Sequence, residues 1–215
     1  MIKKLIRLFF GLMLFSLGNA FIYHGNIGLD SWNSFHSGIT QITGIQIGYV
    51  ATIVSVFALL ISIKLGEKVG IATIADGLFV GPFYQMFIDS GILKFQESSL
   101  GGLIYVFIGM EILCIAILIY MGVGLGSGPR DSMNLAIAKK TGLKVGMTKV
   151  FIEVTVVILA FLLKGRLGLG TLITAVFTGL LLQLNIYITK YDLKSINHEN
   201  VIESFQRIKN KEKFV

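Results

Sequence analysis

Six stretches of the chain run without the polar interruptions of a soluble helix, and each approaches the roughly 20 apolar residues that a helix needs to cross a bilayer core. They extend from Leu5 to Tyr23, Ile47 to Leu65, Ile71 to Ile88, Gly101 to Met121, Val145 to Leu163 and Leu169 to Ile188. Between the first and second lies LDSWNSFHSGITQITG, and between the fourth and fifth PRDSMNLAIAKKTG. Either could form a helix of only about 20 Å at 1.5 Å per residue, too short to span unaided. Both are predicted to be re-entrant or half-membrane helices, since irregular backbone at membrane depth is tolerated only inside protein or beside water.

The pattern repeats. An offset of 98 pairs Phe9 with Phe107, Gly11 with Gly109, Gly48 with Gly146, Gly70 with Gly168, Thr73 with Thr171, Gly81 with Gly179 and Gln85 with Gln183. A local three-residue shift aligns DSWN at Asp30–Asn33 with DSMN at Asp131–Asn134 and reverses before Thr43-Gly44 and Thr141-Gly142. Such self-similarity marks two copies of one unit. Three spans per unit is an odd number, so the second copy is expected upside down relative to the first. The predicted fold is an all-α membrane protein of six transmembrane helices, an inverted 3+3 repeat with one short re-entrant helix per copy. Copy one covers 5–88, copy two 101–188, and residues 189–215 form a basic tail, all in one membrane domain, 1–215. A rival with eight crossings, in which the short helices also span, puts Arg130 and the Lys139-Lys140 pair on opposite faces.

Charge tests this topology, because short cytoplasmic loops are enriched in Lys and Arg. With the amino terminus inside, the inner segments hold Lys3, Lys4 and Arg7, then Lys64 and Lys68, then Arg130, Lys139, Lys140 and Lys144, and last the tail. The outer segments hold Asp30, then Asp89, Lys94 and Glu97, then Lys164 and Arg166, and only that last loop dissents. Both termini are therefore expected in the cytoplasm. Lys3, Lys4 and Arg7 before an apolar run also resemble a signal peptide. As half of a matched pair, however, this run reads as a retained first span.

Composition agrees: 54% of the 215 residues are hydrophobic and 14% charged, against roughly a quarter charged in soluble domains. The net charge of +7 follows topology, and no nucleic-acid partner is expected. Cys114 is the single cysteine and lies inside a span, a small buried hydrophobe with no disulfide partner. His24 and His36 have no third neighbour for a metal, and no cofactor is expected.

The chemistry concentrates around the two short helices. Glycines at 122, 124, 126 and 128 let the chain leave a span, and Pro129 suits the first turn of a helix, capped by Ser127 or Gly128. A helix starting inside the membrane aims unpaired N–H groups and a partial positive charge outward, which suits an anion or carboxylate. Arg130 strengthens that field and Asp131 opposes it; alternatively the two pin the loop by pairing with each other or with helix ends. The glycine spacing does not make a nucleotide-binding loop. Asp30, Ser31 and Asn33 on the first short helix answer Asp131, Ser132 and Asn134 on the second, with His36 present only on the first, and capping side chains are expected on both.

Asp76, Glu111 and Glu153 lie inside spans, where a charge costs about 2.5–3.5 kcal/mol at the bilayer centre. Each is expected to face the bundle interior or a water-filled cavity, as a proton or cation site or as a structural partner: Glu153 for Lys149, Glu111 for a basic group or the backbone of the short helix. Small residues at Gly77 and Gly81, and at Ala175 and Gly179, predict close helix packing in both copies. Gln85 and Gln183 stand at equivalent ends. In the tail, Val201, Ile202, Phe205 and Ile208 fall at helical spacing, with Glu203 four residues before Arg207.

GLGSGPRDSMNLAIAKKTGLKVG and KGRLGLGTLITAVFTGLLLQL together resemble the YczE-like bacterial membrane proteins, related in layout to the YitT group. Matching positions are the glycine-rich turn (Gly126, Gly128), Pro129, Asp131, Thr141, Gly142, Gly168, Gly170 and Thr171. Copy one departs, with Leu29 in place of the proline and Ala72 in place of the second glycine of G-x-G-T. The resemblance implies a multi-pass protein of the bacterial plasma membrane. Function divides between a transporter or permease for a small solute or ion and a non-catalytic accessory protein acting through a protein partner or as a homo-oligomer in the lipid bilayer. No catalytic pairing of side chains appears, and an enzyme is not expected.

Overall fold

The computed structural model describes residues 2–190 and 198–209; residues 191–197 and 210–215 of the basic tail lie outside the described residues. Among the described residues the chain forms nine α-helices: α1 Ile2–Gly25, α2 Ser31–Thr43, α3 Ile47–Lys64, α4 Ile71–Asp89, α5 Ser99–Met121, α6 Pro129–Thr141, α7 Val145–Leu162, α8 Leu169–Thr189 and α9 Val201–Lys209. Six are long and apolar enough to cross a membrane, α1, α3, α4, α5, α7 and α8. Their ends fall within three residues of the hydropathy prediction. The short helices α2 and α6 are 13 residues each.

At the centre α1 lies along α5. Gly11, Gly18 and Gly25 recur every seven residues on one face of α1 and meet Tyr120, then Gly109 and Leu113, then Gly102. The partners run in reverse order, so the two helices are antiparallel. A Cβ on Gly18 would fall 2.8 Å from the Gly109 carbonyl oxygen; without side chains the two backbones approach, and dispersion replaces the hydrophobic drive absent in lipid.

On this pair α4 and α8 are seated alike. Phe9 meets Phe79 edge-on at 5.0 Å, and Ser16 Oγ donates to the Val80 carbonyl at 2.9 Å. Phe107 meets Phe177 at 6.0 Å, and Cys114 Sγ donates to the Thr178 carbonyl at 3.6 Å. Every residue in the second set is 98 positions after its counterpart. The buried thiol expected as a plain hydrophobe thus has a weak polar role.

The remaining spans and the short helices form a second group. Here α2 packs on α7, α3 on α6, and each short helix on the span that follows it; their shared core is Trp32, Ala58, Met133 and Val156. The two groups exchange backbone at corresponding places. Ala72 N–H donates to the Leu125 carbonyl at 2.8 Å, and Gly170 N–H to the Ile27 carbonyl at 2.8 Å. Thr73 and Thr171 hydroxyls each accept from the glycine three residues before, Gly70 and Gly168. Gly28 and Gly126, at φ +116° and +119°, turn the loop segments that accept these bonds; that left-handed region is open to glycine at no steric cost.

The groups meet unequally. On the α3/α4 side, Gly48 and Gly81 touch backbone to backbone and Thr52 fills the space beside Gly81. Gln85 is buried, and its Oε1 accepts from Gly48 N–H at 3.0 Å. On the α7/α8 side the same packing was expected from Ala175 and Gly179, and it is not formed. Gly146 and Gly179 have nothing within 4 Å, Gln183 is exposed, and α7 and α8 do not pack as a pair.

Loops gather at two ends. Arg166 joins one end: its guanidinium donates to Asn26 Oδ1 at 2.8 Å, lies 4.6 Å from the Tyr23 ring centre and extends the sheltered corner made by Phe95. The dissenting positive charge is therefore a structural pin. At the other end Glu199 N–H donates to the Gly124 carbonyl and Val201 N–H to the Val69 carbonyl, both near 3 Å, so α9 ties the tail to the α3–α4 and α5–α6 loops. Asn200 and Glu203 cap it reciprocally. The side chains of Phe205, Arg207 and Ile208 lie outside the described residues.

Candidate functional site

The start of α2 is built by Asp30. Its Oδ1 accepts from the N–H groups of Trp32 and Asn33 at 3.2 Å each, satisfying two donors that a helix start leaves unpaired. Asn33 then links outward: its Nδ2 donates to Asp30 and to Asn19 Oδ1 at 2.7 Å, the latter on α1. Its Oδ1 meets His36 Nδ1 at 3.3 Å. The other ring nitrogen of His36, Nε2, has no partner although the residue is fully buried, and neither has the hydroxyl of Tyr84. A buried polar atom left unpaired costs about 1–3 kcal/mol.

At the start of α6, Gly128 is the N-cap and Pro129 the first helical residue, as the sequence suggested. The expected capping side chain is not there, because the N-cap position falls on Gly128, three residues ahead of Asp131, which is exposed and caps nothing. Ser132 is buried and shares a hydrogen bond with Ser127 at 3.1 Å. Asn134 is buried too, donating to the Val145 carbonyl at 3.4 Å with its Oδ1 unpaired. The anion expected at this helix start is supplied by the protein: a Cβ on Gly128 would lie 3.0 Å from Asp76 Oδ2 and 3.7 Å from the Tyr120 hydroxyl. The Asp76 carboxylate accepts no hydrogen bond from the described residues. It lies instead at the N-terminal end of α6, where the helix dipole favours a negative charge.

Trp32 and Arg130 join the two helix starts. The guanidinium lies 4.8 Å from the Trp32 ring centre, a cation–π contact worth about 0.5–2 kcal/mol. The indole Nε1 donates to Glu153 Oε1 at 3.1 Å. Glu153 therefore does not take Lys149, one turn away, as its partner, and Arg130 does not pair with Asp131: among the described residues the ion pairs are Lys139–Glu67 and Lys68–Glu203.

Of the residues singled out from the sequence, Asp30, His36, Arg130 and Glu153 meet Trp32, Asn33 joins them through Asp30 and His36, and Asp76 lies beside Gly128 at the start of α6. Glu111 lies elsewhere. It accepts from Asn185 Nδ2 at 2.9 Å, not from a basic group or from a short helix, and Asn185 lines a cleft of about 220 Å³ with Arg7 and Thr189. Gly126, Gly168, Gly170 and Thr171 form the exchanged loop contacts. Sequence reasoning passed over Asn19, Tyr84 and Tyr120. The signal was there for Asn19, an amide midway along an apolar span, but Tyr84 and Tyr120 look like interfacial aromatics until burial shows otherwise.

Six bilayer-length apolar helices around buried polar side chains define a multi-pass membrane protein. Comparison with known proteins agrees. The chain belongs to the family of unknown function DUF6198, which matches residues 2–186. It is similar to the uncharacterized membrane protein YczE of Bacillus subtilis (strain 168), with 28% identity over 83% of both chains. An uncharacterized protein of Haemophilus influenzae is 27% identical over 86% of this chain and 84% of its own. The uncharacterized protein YyaS of Bacillus subtilis is 24% identical over 87% and 94%. The kinship expected from the glycine-rich motifs is thereby borne out. No solved structure matches the chain.

Proposed function

We propose that the chain is a small permease-like transporter of the bacterial plasma membrane, moving a small solute or ion past the joined starts of α2 and α6. The observation that carries this reading is the Arg130–Trp32 contact, which brings two half-length helices start to start, with Asp76 at the start of α6 and the buried His36 on α2. Broken helices aimed at a shared central site are a recurring transporter device. The short helices are re-entrant in this reading: the first seven residues of α2 are almost all buried, and its last three exposed. Antiparallel α1 and α5, and contacts that recur at an offset of 98, support an inverted 3+3 repeat. The basic residues Lys64, Lys68, Lys139 and Lys140 gather at the end where α9 docks, which supports cytoplasmic termini.

The chemistry favours a cation, a proton or a solute that carries positive charge. Asp30 and Asp76 already answer the two helix starts, so carboxylates, not bare dipoles, face the site, and Arg130 is held by an aromatic ring. The test is a thermal-shift screen of the purified protein against ions, amino acids and lipids, followed by uptake into proteoliposomes. At least one compound is expected to raise the melting temperature, and Asp76→Asn or Arg130→Gln to remove that rise. An accessory role through a protein partner is the second reading. It draws on α7 and α8, which bury 17% of their apolar windows inside the fold against 39–44% for the other spans. Silence across the whole screen would favour it.

A further inference from the structure

The two helix groups meet at corresponding junctions that are in opposite states. At one end Gly48, Gly81 and Gln85 close α3 on α4; at the other, Gly146, Gly179 and Gln183 leave α7 apart from α8. The frame around the two junctions matches: α4 and α8 are seated on α1 and α5 by equivalent contacts, and α2/α7 answers α3/α6. Since α3 and α7 belong to one group and α4 and α8 to the other, the difference is what a tilt of one group against the other produces.

Resting on the inverted-repeat reading above, we infer that the α2–α3–α6–α7 group rocks against the α1–α4–α5–α8 group, and that this structure is one of two end states. In the other, α7 closes on α8, Gln183 caps the Gly146 N–H as Gln85 caps Gly48 here, and the α3/α4 junction opens. The groups needed for closure are present and unused. Gly146 N–H lies in the first turn of a helix whose start has no capping side chain, so it lacks an intrahelical acceptor. Gly179 carries the small surface that lets helices touch. The closed junction lies at the end holding Arg166 and the open one at the end holding α9, so the site faces the α9 end in this state. The geometry is that of alternating access by rocking of two bundles around a fixed site.

Spin-label distances test the rocking without any substrate. In a Cys114→Ser background, which copies Ser16, one pair of cysteines replaces Met147 and Leu184, and its counterpart, 98 residues earlier, replaces Tyr49 and Met86; all four side chains are exposed. Measured in lipid nanodiscs, each pair is expected to give two distance populations, with the inner pair short where the outer pair is long. Gly179→Leu, at a position with open space, is expected to abolish the short inner population while leaving the fold intact. A single, unchanged distance for both pairs, with and without Gly179→Leu, overturns the proposal. Two populations in a protein that moves no solute would instead refute the transport reading and leave the rocking standing.

Discussion

The junction between α3 and α4 and the one between α7 and α8 are written in nearly the same residues and come out differently. In the first, two glycines meet and a buried amide on α4 ties that helix to the start of α3. In the second, the same glycines face open space and the same amide is exposed. A small-residue pattern therefore gives permission for two helices to touch; whether they do so depends on the position of the group to which each belongs. Within a bilayer neither state is penalised by exposed apolar surface, because lipid covers what protein leaves bare.

The comparison can be broken in several places. The largest effect concerns topology. Ile45 and Leu143 are exposed counterparts, 98 residues apart, at the tips following the short helices. Single cysteines at these positions are expected to react with a membrane-impermeant maleimide from opposite sides of the cell, and labelling from one side would end the inverted reading. Next come the glycines. Gly81→Leu drives a branched side chain into the Gly48 carbonyl and Thr52, and is expected to cost about 1–3 kcal/mol or more as overpacking. Gly179→Leu should stay within about 0.5 kcal/mol; both are read from thermal unfolding in detergent.

A smaller difference is expected for the amides. Gln85→Leu leaves Gly48 N–H buried and without its acceptor, a loss of about 1–3 kcal/mol, whereas Gln183→Leu leaves the melting temperature unchanged. The least separation is expected at the helix starts. Asp30→Ala removes a cap and lowers stability by about 0.5–2 kcal/mol, while the same change at its sequence counterpart Asp131 has little effect on unfolding. Equal losses at Asp30 and Asp131 would show that α6 is capped as α2 is.

Much of this architecture was written along the chain. Six apolar runs fixed the spans, because a bilayer demands a continuous hydrogen-bonded helix of set length. Pro129 and Asp30 marked the starts of α6 and α2, and Gly142 and Gly44, both left-handed, their ends. The offset of 98 even paired Ser16 with Cys114 and Phe79 with Phe177, contacts that became recognisable once α4 and α8 were seen on their partners. Such features are local: they follow from how a few neighbouring residues treat the backbone and the solvent.

What the tertiary structure decided is which side chain answers which. Asp76 at the start of α6, Glu153 on the Trp32 indole, Arg166 against Tyr23 and Asn26, and the open α7/α8 junction all join segments far apart in the chain. Hydropathy could not assign them, since it records that a face must avoid water without saying whether lipid or protein will cover it. Only the placement of the two helix groups makes that choice, and here it covers one of two nearly identical faces with protein and leaves the other open.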